Sequence, residues 1–171
     1  MQQFTVIVDF NGIVLFEPTL LKKYYNGIIE YGTNLYHRFI TMDEGDEVVN
    51  LGMVIPILGI NDGVYRIVIR RNEEPSTIED GVFFENSVFP LHVAQRLVIA
   101  DLAVLLEWED DLGWQNVDLS AGFYSIAVRG FRFIERNIVV DCGYEFVVKP
   151  EHKLPLRTGD LEKNMQVLCL P

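Results

Sequence analysis

The chain has little of what catalysis usually requires. Its 171 residues include two cysteines and three histidines. Cys142 and Cys169 match neither a zinc spacing nor a disulfide framework. Both sit in apolar, strand-like runs, which predicts buried free thiols and favours a reducing compartment. His37, His92 and His152 are isolated, with no second ligand two or four residues away. Each reads as a surface or core-edge residue, and no metal is expected. Gly-x-Ser-x-Gly, Gly-x-Gly-x-x-Gly and Walker sequences are all absent, so no nucleophile elbow or phosphate cradle is indicated. Asp43-Glu-Gly-Asp-Glu47 is shorter than a calcium loop and lacks its alternating ligands. A triad assembled only in three dimensions leaves no trace at this level. The expectation is a protein that is not an enzyme and needs no cofactor.

Positive charge is also scarce: 14 Lys and Arg stand against 25 Asp and Glu, for a net charge of −11. The deficit is spread evenly, −6 over residues 1–80 and −5 over residues 81–171. Such a surface repels nucleic acid and anionic membrane and attracts basic partners. No apolar run approaches the roughly 18 residues of a membrane span. Met1-Gln-Gln-Phe-Thr5 has neither the basic nor the apolar region of a secretory signal, so cytoplasmic residence is expected. Low-complexity tracts are absent too. Apolar residues make up 49% of the chain and aromatics 12%, which is enough for a real core rather than disorder.

One stretch organises what is present. Gly122-Phe-Tyr-Ser-Ile-Ala-Val-Arg129 repeats the pattern of Gly63-Val-Tyr-Arg-Ile-Val-Ile-Arg70, 59 positions earlier. Each follows a turn, which suggests two β-modules, 1–80 and 81–171, separate or packed as a single domain, with the polar segment 72–80 as the linker. Along the chain, Asn11-Gly12 between two β-branched runs predicts a hairpin. Pro18 to Tyr31 reads as a short helix or irregular loop, and Leu35 to Thr41 as a strand. Pro56 and Pro90 mark edge or bulged strands. Residues 97–100 read as a strand, followed by a helical turn capped by Asp101. Strands are expected at 114–119, 122–133 and 138–148, with a turn at Arg136-Asn137 and a bulge at Gly143. Met165 to Leu170 is a candidate terminal edge strand. Strands at this spacing, with no βαβ alternation, predict a mainly β fold: an antiparallel β-sandwich or barrel with one or two short helices.

Two acidic clusters stand out, each upstream of a signature strand. Asp43, Glu44, Asp46 and Glu47 form the first and read as a turn. Glu107, Glu109, Asp110 and Asp111 form the second, flanked by Trp108 and Trp114. Trp108 fits either a core or an interface position. Trp114, preceded by Asp110-Asp-Leu-Gly113, reads as the more exposed of the two. Clustered carboxylates repel one another; they are either solvated loops or a docking patch for a basic protein, which they would steer into place. Trp114 would add an anchor.

Phe89-Pro-Leu-His-Val93, followed after an apolar segment by Asp118-Leu-Ser-Ala-Gly-Phe-Tyr124 and its strand, resembles the competence protein J family. That family comprises small acidic β-proteins that inhibit a DNA-entry nuclease. The same arrangement is similar to immunity partners of bacterial toxins. The resemblance spans roughly residues 82–133 and implies a bacterial inhibitor of a nuclease or toxin. Together with the charge, it makes an acidic protein that neutralises a basic partner the leading expectation. The alternatives are a small-ligand-binding β-barrel or sandwich, whose apolar cavity the eleven Phe and seven Tyr would line, and a face-packed homodimer.

Overall fold

Alternating apolar residues along the strands dictate two stacked sheets, because a strand with one apolar face must bury it against another layer. The computed structural model describes residues 1–168 and has nine strands and three short helices. Cys169 and the end of the expected 165–170 strand lie outside the described residues; residues 165–168 are irregular. The first sheet holds β1 (Gln2–Val8), β4 (Gly63–Arg71), β9 (Ile138–Glu151), β8 (Gly122–Glu135) and β5 (Val82–Val93), in that spatial order. The second holds β3 (Val54–Leu58), β2 (Gly12–Phe16), β6 (Leu97–Asp101) and β7 (Gln115–Val117). All pairs are antiparallel except β4–β9, which is parallel. The fold is thus mainly β, a two-sheet sandwich rather than a closed barrel. Strands from 1–80 and from 81–171 contribute to both sheets.

The core between the sheets is one continuous apolar layer. Val6, Tyr65, Ile67, Ile126, Val128, Tyr144 and Phe146 face Ile13, Leu15, Ile55, Ile57 and Ile99 across it. The second sheet is buried on its other face as well, which explains why all five residues of β2 are inaccessible. Val14, Phe16, Val54, Val98 and Ala100 there pack under α1 (Pro18–Tyr24), α2 (Leu35–Thr41), α3 (Glu44–Asn50) and the loop around Trp108.

The two echoing stretches are β4 and β8, which flank β9 on either side. Both tyrosines point into the core and tie back to the turn before their own strand. The Tyr65 hydroxyl donates to the Asn61 carbonyl (2.5 Å), and the Tyr124 hydroxyl to the Ser120 carbonyl (2.8 Å). This is the device of a tyrosine corner. Both arginines point the other way and meet at Glu145 on β9. Arg70 donates Nε to Oε1 (2.8 Å), and Arg129 donates Nη1 to Oε2 (2.7 Å). Ser76 Oγ adds a third bond to Oε1 (2.8 Å). Arg70 Nη1 also donates to the Glu74 carbonyl (2.6 Å), and Arg129 Nη2 to Glu79 (2.7 Å). These bonds clamp the 72–81 segment onto the outer face of the first sheet, where Ile78 packs with Val68 and Phe131. A polar segment that reads as a linker is therefore a fixed cover.

Several local expectations are met. Asp101 caps a 3-10 turn at Leu102–Leu105 by accepting from Ala103 N (3.1 Å). Arg136 and Asn137 both take positive φ at the β8–β9 turn. β3 with Pro56 and β5 with Pro90 are edge strands. Others are corrected. Asn11-Gly12 makes no hairpin: β1 and β2 lie in different sheets, and the chain crosses between them there. Backbone bonds to distant partners, such as Ile60 N to Asn11 O (3.2 Å), hold the corner. Leu35–Thr41 is helical, because Leu35, Tyr36, Phe39 and Ile40 recur at helical spacing and the Asn34 side chain accepts from His37 N (2.8 Å). The bulge in β8–β9 falls between Phe133 and Ile134, where Val140 is left over, and not at Gly143. Gly143 serves close approach instead, since a Cβ there would lie 1.7 Å from the Arg66 carbonyl oxygen on β4.

Glu145 is fully buried (0% exposed) and its two arginine side chains nearly so. Burial alone would raise its pKa. The hydrogen bonds from Arg70 and Ser76, with both guanidinium charges, outweigh burial and hold it below the ordinary carboxylate range. A depressed folded-state pKa contributes stability that is present above the unfolded value and is lost as pH falls through the folded one. Glu145→Gln leaves two buried guanidiniums without their counter-charge and is expected to lower unfolding free energy by about 3 kcal/mol near neutral pH. In urea titrations the gap between parent and variant should narrow on acidification below about pH 4; a constant gap across that range would refute the assignment.

Candidate partner-binding face

The site is built outward from β2. Its last residue, Phe16, is followed by Glu17, a buried carboxylate that accepts from Leu20 N (2.5 Å), Gln95 N (2.9 Å) and Arg96 N (2.7 Å). Glu17 thereby caps α1 and fixes the 95–96 turn to it. Pro18 occupies the first turn, as its preset φ favours. The helix carries its polar side chains toward both acidic clusters. Lys22 Nζ reaches Asp110 (2.6 Å), the Tyr24 hydroxyl donates to Glu47 (2.7 Å), and the Tyr25 hydroxyl donates to Glu44 (2.7 Å). The two clusters, far apart in sequence, are thus both tied to α1.

Asp43–Glu47 is not a turn. Asp43 precedes α3, and Glu44, Asp46 and Glu47 fill its first turn. Carboxylates are favoured there by the unpaired N–H groups and the helix dipole, which offsets their mutual repulsion. Half of the cluster is neutralised internally. Arg38 grips Glu44 with two bonds (2.8 and 3.1 Å) while its guanidinium lies over the Tyr25 ring at 4.8 Å. Arg157 reaches Asp46 at 2.8 Å from the C-terminal segment. The Arg38 bonds outweigh burial and hold Glu44 below the usual carboxylate range. The bond to Glu47 pushes Tyr24 up to about 12, and Tyr25 is raised as well, by burial and its bond to Glu44. Asp43 has no side-chain partner among the described residues.

The second cluster divides in the same way. Asp110 accepts from Lys22 and from Trp108 Nε1 (2.9 Å), and these bonds prevail over burial and lower its pKa. Asp111 pairs with Arg96. Glu107 and Glu109 are exposed and have no side-chain partner among the described residues. Trp108 belongs to the core. Trp114 is the more exposed of the two tryptophans, as its neighbours suggest, but it is half-buried against Phe16 (ring centroids 5.2 Å) and Trp108 (5.1 Å). Arg96 covers its other side at 5.4 Å, and its Nε1 is buried with no acceptor among the described residues. Aromatic packing outweighs the polar sequence around it.

Of the nine candidate residues, Asp43, Glu107 and Glu109 therefore remain free to meet a partner, and Glu44, Asp46, Glu47, Asp110, Asp111 and Trp114 already hold the face together. No group of three or more His, Cys, Asp and Glu side chains able to hold a metal occurs among the described residues. Cys142 is a buried thiol pushed up to about 11 by burial. No helix among them is long and apolar enough to cross a membrane. An apolar cavity between α2, α3 and β3, lined by Phe39, Val48, Val54 and Leu102, measures about 120 Å³, below the roughly 300 Å³ at which small-molecule sites begin.

No protein-family model and no curated protein sequence matches the chain. Solved structures share the fold. The structure of ComJ, inhibitor of the DNA-degrading activity of NucA, from Bacillus subtilis, superimposes with a TM-score of 0.51 at 12% identity, covering 88% of this chain and 96% of that one. A protein described as crocagin biosynthetic gene J superimposes with a TM-score of 0.51 at 11% identity, over 88% of this chain and 99% of its own. Both therefore carry the same sandwich over nearly their whole length.

The division of the carboxylates has a measurable consequence. Glu44→Ala breaks the Arg38 and Tyr25 bonds and is expected to destabilise by about 1–2 kcal/mol, the solvent at this half-exposed site moderating the loss. Glu107→Gln and Glu109→Gln should each shift unfolding by less than about 0.5 kcal/mol. Equal effects in all three urea titrations would contradict this division.

Proposed function

We propose that this protein is an acidic binding protein that neutralises a basic partner, a nuclease or a toxin of the same host. One observation carries the reading: after internal pairing, Asp43, Glu107 and Glu109 are left exposed and without side-chain partners among the described residues, in two clusters that are each tied to α1 by hydrogen bonds. Unpaired charge of one sign on a fixed scaffold raises the rate of encounter with the opposite charge and selects against acidic competitors. The sandwich shared with an inhibitor of a DNA-degrading enzyme supports this reading, as does the net charge of −11. Among the described residues the ionisable groups with lowered or raised pKa on this face are engaged in bonds that fix the fold, which is the arrangement of a docking surface more than of a reaction centre. The partner is therefore a protein whose own active cleft is cationic, since a cleft built for phosphate is the natural complement of such a face.

Inhibition assays test this. Purified protein is expected to suppress a basic nuclease or toxin from its own host at low salt, and to lose potency as salt rises and screens the exposed charges. The triple variant Asp43→Asn, Glu107→Gln, Glu109→Gln is expected to associate about tenfold more slowly while melting like the parent. Absence of suppression across the basic nucleases and toxins of that host would overturn the reading. Suppression that ignores both salt and the triple substitution would remove its electrostatic basis.

A further inference from the structure

The segment between α1 and α2 presents two large apolar side chains to solvent: Ile28 and Tyr31 are each 74% exposed. Single exposed apolar residues are ordinary; two of them three positions apart on a fixed loop are not. Asn26, Gly27 and Gly32 take positive φ, and the backbone is pinned at both ends. Gly27 N donates to the Lys22 carbonyl (2.8 Å) and Gly32 N to the Trp108 carbonyl (2.8 Å), while Trp108 N returns a bond to the Thr33 carbonyl (3.0 Å). Ile29, between the two exposed residues, is buried in the helical core. The loop is therefore held to the same tryptophan whose flanks carry Glu107 and Glu109. Beside it lies an open depression of about 560 Å³, whose lining includes Tyr25, Ile28, Glu30 and Glu44. Glu30 has no side-chain partner among the described residues.

We infer that loop 26–32 is the anchor of the partner interface, and that Ile28 and Tyr31 insert into an apolar recess of a basic protein whose Lys or Arg side chains enter the adjoining depression. The inference rests on the inhibitor reading and adds to it the residues that supply affinity. Charge complementarity selects the occupant. The carboxylates around the loop, Glu30, Glu107 and Glu109, are unpaired, and the ring of Tyr25 and the carboxylate of Glu44 already hold one guanidinium, that of Arg38. Another exposed apolar set, Ile134, Ile138 and Val140 at the β8–β9 tip, is flanked by Arg132, Glu135, Arg136 and Asp141, whose formal charges cancel and offer a basic partner no net attraction. A pinned loop loses little conformational freedom on binding, and tyrosine offers a large contact at low entropy cost.

The test combines variants and cross-linking on the full chain, with inhibition of the host nuclease or toxin as readout. Tyr31→Ala and Ile28→Ala are each expected to weaken inhibition about tenfold or more, mainly through faster dissociation. Their melting temperatures should stay at the parental value, because neither side chain contributes to the core. A photo-reactive phenylalanine analogue at position 31 should cross-link to the basic partner, and the same group at position 138 should not. Parental inhibition by both alanine variants, or cross-linking from 138 alone, overturns this surface while leaving the inhibitor reading intact. Loss of inhibition in the alanine variants together with its retention in the triple charge variant supports the anchor and removes only the steering role of the carboxylates. A parent chain that inhibits nothing overturns both.

Discussion

The carboxylate of Glu145 is the constraint on which the first sheet depends. A buried charge is tolerated only when its oxygens are fully bonded and its field is balanced. Here the balance comes from both sides at once: Arg70 on β4 and Arg129 on β8, one strand running parallel to β9 and the other antiparallel. A single arginine at that depth would leave one oxygen poorly compensated. Two of them create a surplus of positive charge, which Glu79 at the rim absorbs. The network therefore specifies which strands neighbour β9 and in which register, since a one-residue slip of β8 would turn Arg129 into the apolar layer between the sheets. Its by-product is the ordering of the 72–81 segment, which closes the outer face.

This arrangement also gives the echoing motifs a physical meaning. Tyrosine at the third position and arginine at the eighth point to opposite faces of a strand, because side chains five residues apart alternate sides. The tyrosine fastens the strand to its own preceding turn. The arginine fastens it to the neighbour. Any strand beginning at a turn and lying beside β9 meets the same two requirements, and the two stretches meet them with the same residues.

What was legible in the sequence was local. The Asp101 cap, the Arg136-Asn137 turn and the proline-marked edges depend on backbone geometry within a few residues, and residue type reports that directly. Pairing is a different matter. Asn11-Gly12 has the chemistry of a hairpin turn, yet β1 finds its partner at Gly63–Arg71, and nothing local to residue 11 says so. Leu35–Thr41 carried the better signal in its spacing and in Asn34, but β-branched and aromatic content read alone pointed to a strand. The acidic clusters are a different case. Sequence displays charge and conceals neutralisation: Lys22 and Asp110 are 88 positions apart, and Arg157 and Asp46 are 111 apart. The exposure of Ile28 leaves no trace in the apolar pattern of the sequence, because it shares a helical spacing with Leu21 and Tyr25. Gly27 and Gly32, bracketing Ile28 and Tyr31, were the available hint that the chain leaves the helix there.

The pairing of the acids bears on how such a face can bind at all. A patch of eight unpaired carboxylates would repel itself and would hold no fixed shape, so part of any binding energy would go to ordering it. With Lys22, Arg38, Arg96 and Arg157 each committed to one carboxylate, the remaining charge is carried by a surface already fixed in place. Four of the 14 basic residues of this acidic chain thus stabilise its own carboxylate clusters. On the proposed reading, the unpaired carboxylates govern encounter with a cationic partner and the apolar side chains of loop 26–32 govern dissociation.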